Sequence, residues 1–226
     1  MKIMVIGAYG HLGRLIMAEA QARGHDVVGV AHRQHAGTTQ SHVIIKDMLD
    51  LTPQDIADVD AIVDAVGAWT PATEAIHYMG PLHMIALIKG TAIHYLKVGG
   101  ANTLYINAAH THMLQELPLY YPDYMQDLGS AHAEGLKVLR ASDEVNWTHV
   151  TPTYNFDPDG KRTGSYRVAG EEFKPARSKN PNDGKQDYIS YADFAKGVID
   201  TIENKQYSRQ RITLFSGNNP QPTQRY

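Results

Sequence analysis

The residues of this chain with chemistry to offer are a run of spaced glycines, a histidine–arginine pair, and scattered histidines, asparagines and threonines. Gly7-Ala8-Tyr9-Gly10-His11-Leu12-Gly13 follows directly on the apolar Ile3-Met4-Val5-Ile6. A tight glycine turn between a buried parallel strand and a helix N-terminus receives a pyrophosphate. Gly7 permits the sharp turn, Gly10 lets the backbone approach the phosphates, and Gly13 lets the helix pack closely on the strand. With 19 glycines in 226 residues the spacing alone could be accidental. The strand before it and the amphipathic helix after it (Leu12, Leu15, Ile16, Glu19, Ala20, closing at Arg23-Gly24) turn it into a dinucleotide signature. Tyr9, His11 and Leu12 ride on the same turn and belong to the expected contact set.

Cofactor choice is read where the second strand ends, at Val30-Ala31-His32-Arg33. An acidic residue there holds the ribose hydroxyls of NAD, whereas a basic one accommodates a 2′-phosphate. No carboxylate stands here. Arg33 can offer a guanidinium fork to phosphate with His32 assisting, which favours NADP(H) and leaves NAD(H) open; the plain alternative is a solvated loop arginine. Asp47-Met48 either cups the adenine or starts the next turn with Asp47 as its cap. Val66-Gly67-Ala68-Trp69 should pass beside the pyrophosphate and nicotinamide ribose, where Trp69 either walls the nicotinamide pocket or anchors the loop. Val98 closes the fifth strand on the same side.

For catalysis, a negative is the most useful observation. A tyrosine with lysine four residues later is the pair by which many dehydrogenases protonate a carbonyl, and none of the 13 tyrosines has one. Tyr124 is followed at that spacing by Leu128, and Tyr207 by Arg211. What remains is Asn102 and Thr103, which either hydrogen-bond the nicotinamide amide or a substrate oxygen or merely end a strand. On the following helix, His132 is either an acid/base group or a surface histidine. The 12 histidines do not form a helical i, i+4 metal pair with a completing carboxylate, so no metal is expected.

These residues need an alternating scaffold. Strands read at Met1–Ile6, Asp26–Ala31, His42–Ile45, Ala61–Val66, Ala92–Val98, Trp147–Thr151 and Arg211–Phe215, with a helical turn from Pro53 and helices near Thr73–Lys89, Pro122–Ala141 and Tyr191–Glu203. This rhythm predicts an α/β fold: a Rossmann-type doubly wound parallel sheet, with ligands beyond the C-terminal ends of its strands. One NAD(P)-binding domain over 1–226 is expected. A small substrate-side lobe at about 154–187 carries β-like stretches Ser165–Val168 and Glu171–Phe173, and a polar frayed tail runs from Gly217 to Tyr226. A net charge of -3 argues against nucleic acid, the absence of cysteine removes thiolate chemistry, and no apolar run is long enough to span a bilayer. With a core strand at the very start, a cytoplasmic protein without a signal peptide is expected.

Taken together, the chain resembles the atypical short-chain dehydrogenase/reductase family of NADH-flavin reductase-like and biliverdin reductase B-like proteins, with NmrA-like regulators as distant kin. The resemblance rests on Lys2 to Leu15, Arg33, Asp47, Lys97-Val98-Gly99-Gly100-Ala101, His132 to Ser142, Trp147 through Pro152, Arg162 to Tyr166 and Ile189 to Ala195. It implies a Rossmann NAD(P)H site at Gly7 to Gly13 with Arg33 on the 2′-phosphate. Tyr9 and Asn102 depart from the threonine and serine of many relatives. The missing Tyr/Lys pair suits hydride transfer to a flavin, a quinone or a similar conjugated small-molecule acceptor, which takes its proton from water, and Trp69, Tyr105, Tyr154 and Phe156 could line its pocket. The expectation is therefore an NADPH-dependent reductase. An NADP(H)-binding redox sensor without turnover is the alternative, and a sugar-nucleotide epimerase or dehydratase relative comes third.

Overall fold

The computed structural model describes residues 1–34, 42–118, 120–173 and 187–216. Its strands are β1 (Lys2–Ile6), β2 (Asp26–Ala31), β3 (Val43–Ile45), β4 (Ala61–Asp64), β5 (His94–Val98), β6 (Asn146–Pro152), β7 (Asn155–Asp157), β8 (Arg167–Ala169), β9 (Tyr188–Ser190) and β10 (Gln210–Phe215). Its helices are α1 (His11–Ala22), α2 (Ile76–Ile88), α3 (Gln126–Arg140) and α4 (Tyr191–Glu203). The main sheet runs β3-β2-β1-β4-β5-β6-β10-β8, parallel except for the antiparallel edge pair β10–β8. The strands are apolar on both faces because both faces are covered. Ile3, Val5, Ala61, Val63 and Leu96 pack against α1 and α4, whose core side chains include Ile16, Phe194 and Val198. Met4, Ile6, Ile62, Tyr95 and Trp147 meet Met84 and Ile88 of α2 and Leu139 of α3 on the other face. This is the expected doubly wound α/β sheet.

Several boundaries differ from the sequence reading. The fourth strand stops at Asp64, because Oδ1 of Asp64 accepts the Val66 amide at 3.1 Å and bends the chain out of the ladder. Residues 53–59 form successive tight turns in place of a helical turn. Of the two β-like stretches after Pro152, the first becomes β8 on the sheet edge; the second contributes only an isolated bridge from Glu172 to Tyr105. A separate parallel pair, β7–β9, was not legible from composition. The lobe residues 154–173 share a small apolar cluster with 101–121, built on Leu104, Leu114 and Phe173 with Tyr120 and Tyr154 against it. Residues 174–186 and the tail from Gly217 lie outside the described residues.

Two motifs explain how the second half is fastened. Ser190 caps α4 by accepting the Asp193 amide, while the buried Asp193 carboxylate accepts the Thr163 and Gly164 amides at 2.9 and 2.8 Å and the Thr163 hydroxyl at 2.7 Å. Across the other end of the same face, Arg23 binds Glu19, Asp200 and Glu203, tying α1 to α4.

Candidate active site

The glycine turn does what its spacing demands. Gly7 has φ +84°, a left-handed conformation that glycine adopts freely, and a Cβ there would sit 2.8 Å from the Ala65 carbonyl oxygen. Gly13 lies so close to the Gly7 carbonyl that any Cβ would overlap it. No side chain caps α1 at Gly10, and no acidic residue stands in its first turn. A helix N-terminus left with unpaired amides and a positive dipole end is a phosphate cradle. The residues present therefore fit a dinucleotide pyrophosphate. His11 is exposed at the mouth of this turn with its ring 5.4 Å from Tyr191, while Tyr9 and Leu12 are largely buried.

His32 and Arg33 are both exposed directly after β2, and Arg33 forms no ion pair with a described residue. Asp47 caps a short 3-10 turn, its Oδ1 accepting the Leu49 amide at 2.9 Å, and Met48 is buried against Gly80 of α2. So the structure gives Asp47 a local capping partner and places the Met48 side chain in the core. Trp69 is 68% exposed, with its indole nitrogen against Gly67, so it does not anchor its loop in the core.

Beneath the loops after β4 and β5 runs a feature the sequence reading missed. The strand register sets Asp64 of β4, Lys97 of β5, His149 of β6 and Arg211 of β10 side by side on the α2/α3 face. All four are buried. Asp64 Oδ2 accepts the Tyr95 hydroxyl at 2.8 Å and pairs with Lys97 Nζ at 3.1 Å. Arg211 donates to Thr103 O and Thr103 Oγ1, each at 2.8 Å, and to Thr151 Oγ1 at 3.1 Å. Thr103 is thereby committed to structure, its own hydroxyl donating to Gly100 O at 3.0 Å. Each polar residue alternates along its strand with a core side chain, and that alternation was the available signal. Which strands are neighbours could not be seen one strand at a time.

His132 is not a surface residue. It is buried on α3 with Nδ1 3.0 Å from Asn102 Oδ1, so Nδ1 carries the proton and Nε2 keeps a lone pair. Asn102 Nδ2 in turn donates to Gln115 Oε1 at 3.4 Å. Gly99 and Gly100 have no room for a side chain: a Cβ on the first would overlap the His149 ring, and one on the second the Asn102 amide and the His132 ring. Burial first, then His77, Lys97 and Arg211, hold the His132 pKa well below its usual value; burial, then Arg211 and Lys97, do the same to His149. At neutral pH both are uncharged, so the site offers no imidazolium as a proton donor. Of the expected aromatic lining, Tyr105 is buried beneath a stacked His110 and Phe156 packs on Tyr191 and Phe194; Trp69 stays open. No cluster of three or more metal-ligating side chains occurs among the described residues, and no described helix is long and apolar enough to cross a membrane.

A parallel sheet in this strand order, with an uncapped glycine turn at its first crossover, defines a Rossmann-type dinucleotide-binding fold. Comparison with known proteins carries this to a family. Residues 7–205 match the NAD(P)H-binding family model, and the chain belongs to that family. It is 36% identical to the uncharacterized protein YwnB of Bacillus subtilis over 218 residues, spanning 96% of this chain and 99% of that one. Among solved structures it is similar to a putative NADH-flavin reductase from Streptococcus pneumoniae (37% identity, TM-score 0.85, 96% and 99% of the two chains). A putative epimerase from Bacteroides thetaiotaomicron is also similar (25% identity, TM-score 0.78, 97% and 99%).

Proposed function

We infer that the protein is an NADPH-dependent reductase that passes hydride to a flavin, a quinone or a similar conjugated small-molecule acceptor. The observation that carries this reading is an uncapped phosphate cradle in a chain that has no Tyr-x-x-x-Lys pair. The α1 N-terminus and Gly7–Gly13 bind the pyrophosphate, Arg33 holds the 2′-phosphate, and Trp69 shields one side of the nicotinamide. The bound nicotinamide supplies the hydride. Asn102, buried and fixed between His132 and Gln115, shapes the turn on the acceptor side. With His132 neutral and no Tyr/Lys pair in the chain, the reduced acceptor takes its proton from water, which suits conjugated acceptors and disfavours simple ketones. The same absence weighs against an epimerase-like reaction.

The streptococcal neighbour is named for NADH, whereas Arg33 points to NADPH, so the test titrates both cofactors and then adds FMN or a simple quinone. NADPH oxidation that depends on the acceptor supports the reading. Tight cofactor binding without turnover on any acceptor points instead to an NADP(H) sensor, and binding of neither cofactor overturns both.

A further inference from the structure

The loop that carries Trp69 is held from below by two buried side chains. Asp64 Oδ1 accepts the Val66 amide at 3.1 Å, and His77 Nε2 donates to the Ala68 carbonyl at 2.9 Å. His77 is 4% exposed and stands in the first turn of α2. Pro81, four residues later, lacks the amide that would bond the His77 carbonyl, and Gly135 of α3 seats directly against that carbonyl. The ring of His77 meets the ring of His132 edge-on, with centroids 4.0 Å apart. His132 continues to Asn102 and Asn102 to Gln115, so an unbroken series of buried polar and ring contacts joins the loop after β4 to the turn after β5.

We propose that His77 is a positioning residue: it sets the Ala68–Trp69 loop against the nicotinamide and, through His132, aligns that loop with the Asn102 turn on the acceptor side. The assignment rests on the reading that a nicotinamide lies against this loop. Its geometry does not. His77 spends its one ring proton on Ala68, a backbone atom of the loop, while its Nδ1 is buried without a hydrogen-bond partner among the described residues. A histidine retained only to fill core volume would not need this, since an apolar ring would fill the space without burying an unpaired acceptor. Burial, then the Lys97 charge, lower the His77 pKa to about 4, so the bond is made by the neutral ring throughout the physiological range.

The test compares wild type, His77→Phe and His77→Gln, because glutamine restores a donor near the Nε2 position and phenylalanine only the volume. Amide exchange of residues 66–70 in the ligand-free protein reads the hold on the loop directly, and NADPH titration reads its consequence. The expected result is exchange at least tenfold faster and NADPH binding about fivefold weaker in His77→Phe, with His77→Gln within twofold of wild type in both. Unchanged loop exchange in His77→Phe, or a glutamine variant no better than phenylalanine, overturns the proposal. If wild type binds neither nicotinamide cofactor, the functional reading fails while the exchange measurement still decides the role of His77. Should the phenylalanine variant not fold, nitrogen-15 spectra of wild type decide: a protonated Nε2 supports the bond to Ala68, and a protonated Nδ1 removes it.

Discussion

Gly13→Ala drives a methyl into the backbone of the glycine turn itself. The added Cβ would overlap the Gly7 carbonyl oxygen and lie 2.9 Å from its carbonyl carbon and 3.3 Å from Ala8 Cα. Carbon–carbon contact needs about 3.5–4.0 Å. Every obstacle is backbone, so no rotamer change relieves the clash, and α1 must retreat from the turn by roughly 1 Å or more, set by the overlapped carbonyl oxygen. Overpacking of this kind costs about 1–3 kcal/mol, offset by the better helix propensity of alanine, up to about 1 kcal/mol. The net loss is roughly 0–2 kcal/mol, or up to about 8 °C in Tm for a domain of this size. Cofactor affinity should suffer more than stability. Retreat of α1 withdraws its first-turn amides from the pyrophosphate, and losing one charge-assisted bond of about 1.5–3 kcal/mol weakens binding roughly 10- to 150-fold. Thermal unfolding and calorimetric NADPH titration measure the two effects. Gly10→Ala, whose Cβ would meet only the Gly7 carbonyl oxygen at 3.1 Å, should lose less on both counts. A Gly13→Ala protein that binds NADPH as tightly as wild type would refute the pyrophosphate assignment.

Arg33→Ala should weaken NADPH binding about tenfold, the worth of a charge-assisted contact, and leave NADH nearly unchanged; equal losses for the two cofactors in parallel titrations would remove Arg33 from the 2′-phosphate. Lys97→Met strands the buried Asp64 carboxylate and should cost about 3–5 kcal/mol, while Asp64→Asn/Lys97→Met should recover most of it; urea unfolding of both variants checks the pair, and an equally unstable double variant would count against it. Stability should fall with acid in a defined window. Burial holds His77 and His94 at about 4, and His132 and His149 well below their usual value. The unfolded chain therefore takes up protons near pH 6.5 that the folded chain refuses, and stability present above that pH is lost below it. Each histidine contributes up to about 1.4 kcal/mol per pH unit. Chemical denaturation at pH 7 and pH 5 measures this, and a flat profile would show that these rings are not buried and neutral.

What was legible in the sequence was whatever lies contiguous along the chain. Ile3–Ile6 followed by Gly7, Gly10 and Gly13 specifies strand, turn and helix by local sterics alone, and the apolar runs of β2, β4, β5 and β6 announce strands covered on both faces. The site chemistry is set by register between strands. Lys97 is one lysine in an apolar run until β4 places Asp64 beside it, and His149 and Arg211 gain meaning only as its further neighbours. His132 was identified as a candidate from its helix, yet its burial and its bond to Asn102 depend on how closely α3 approaches the Gly99-Gly100 turn, a distance that no spacing within the helix encodes. His77 carries no signal in the sequence, because its partner is a backbone carbonyl nine residues away.

The clamp between α1 and α4 bears on how the protein is made. Arg23 closes on Glu203 across 180 positions of sequence, and the apolar face of α1 rests on Phe194 and Val198, near the end of the chain. At translation rates of about 5–20 residues per second, the glycine turn leaves the ribosome roughly 10–40 s before the helix that braces it. During that interval the side of α1 that will meet α4 stays uncovered. The turn that opens the dinucleotide site is thus braced only once α4 has been made, so cofactor binding should wait on α4.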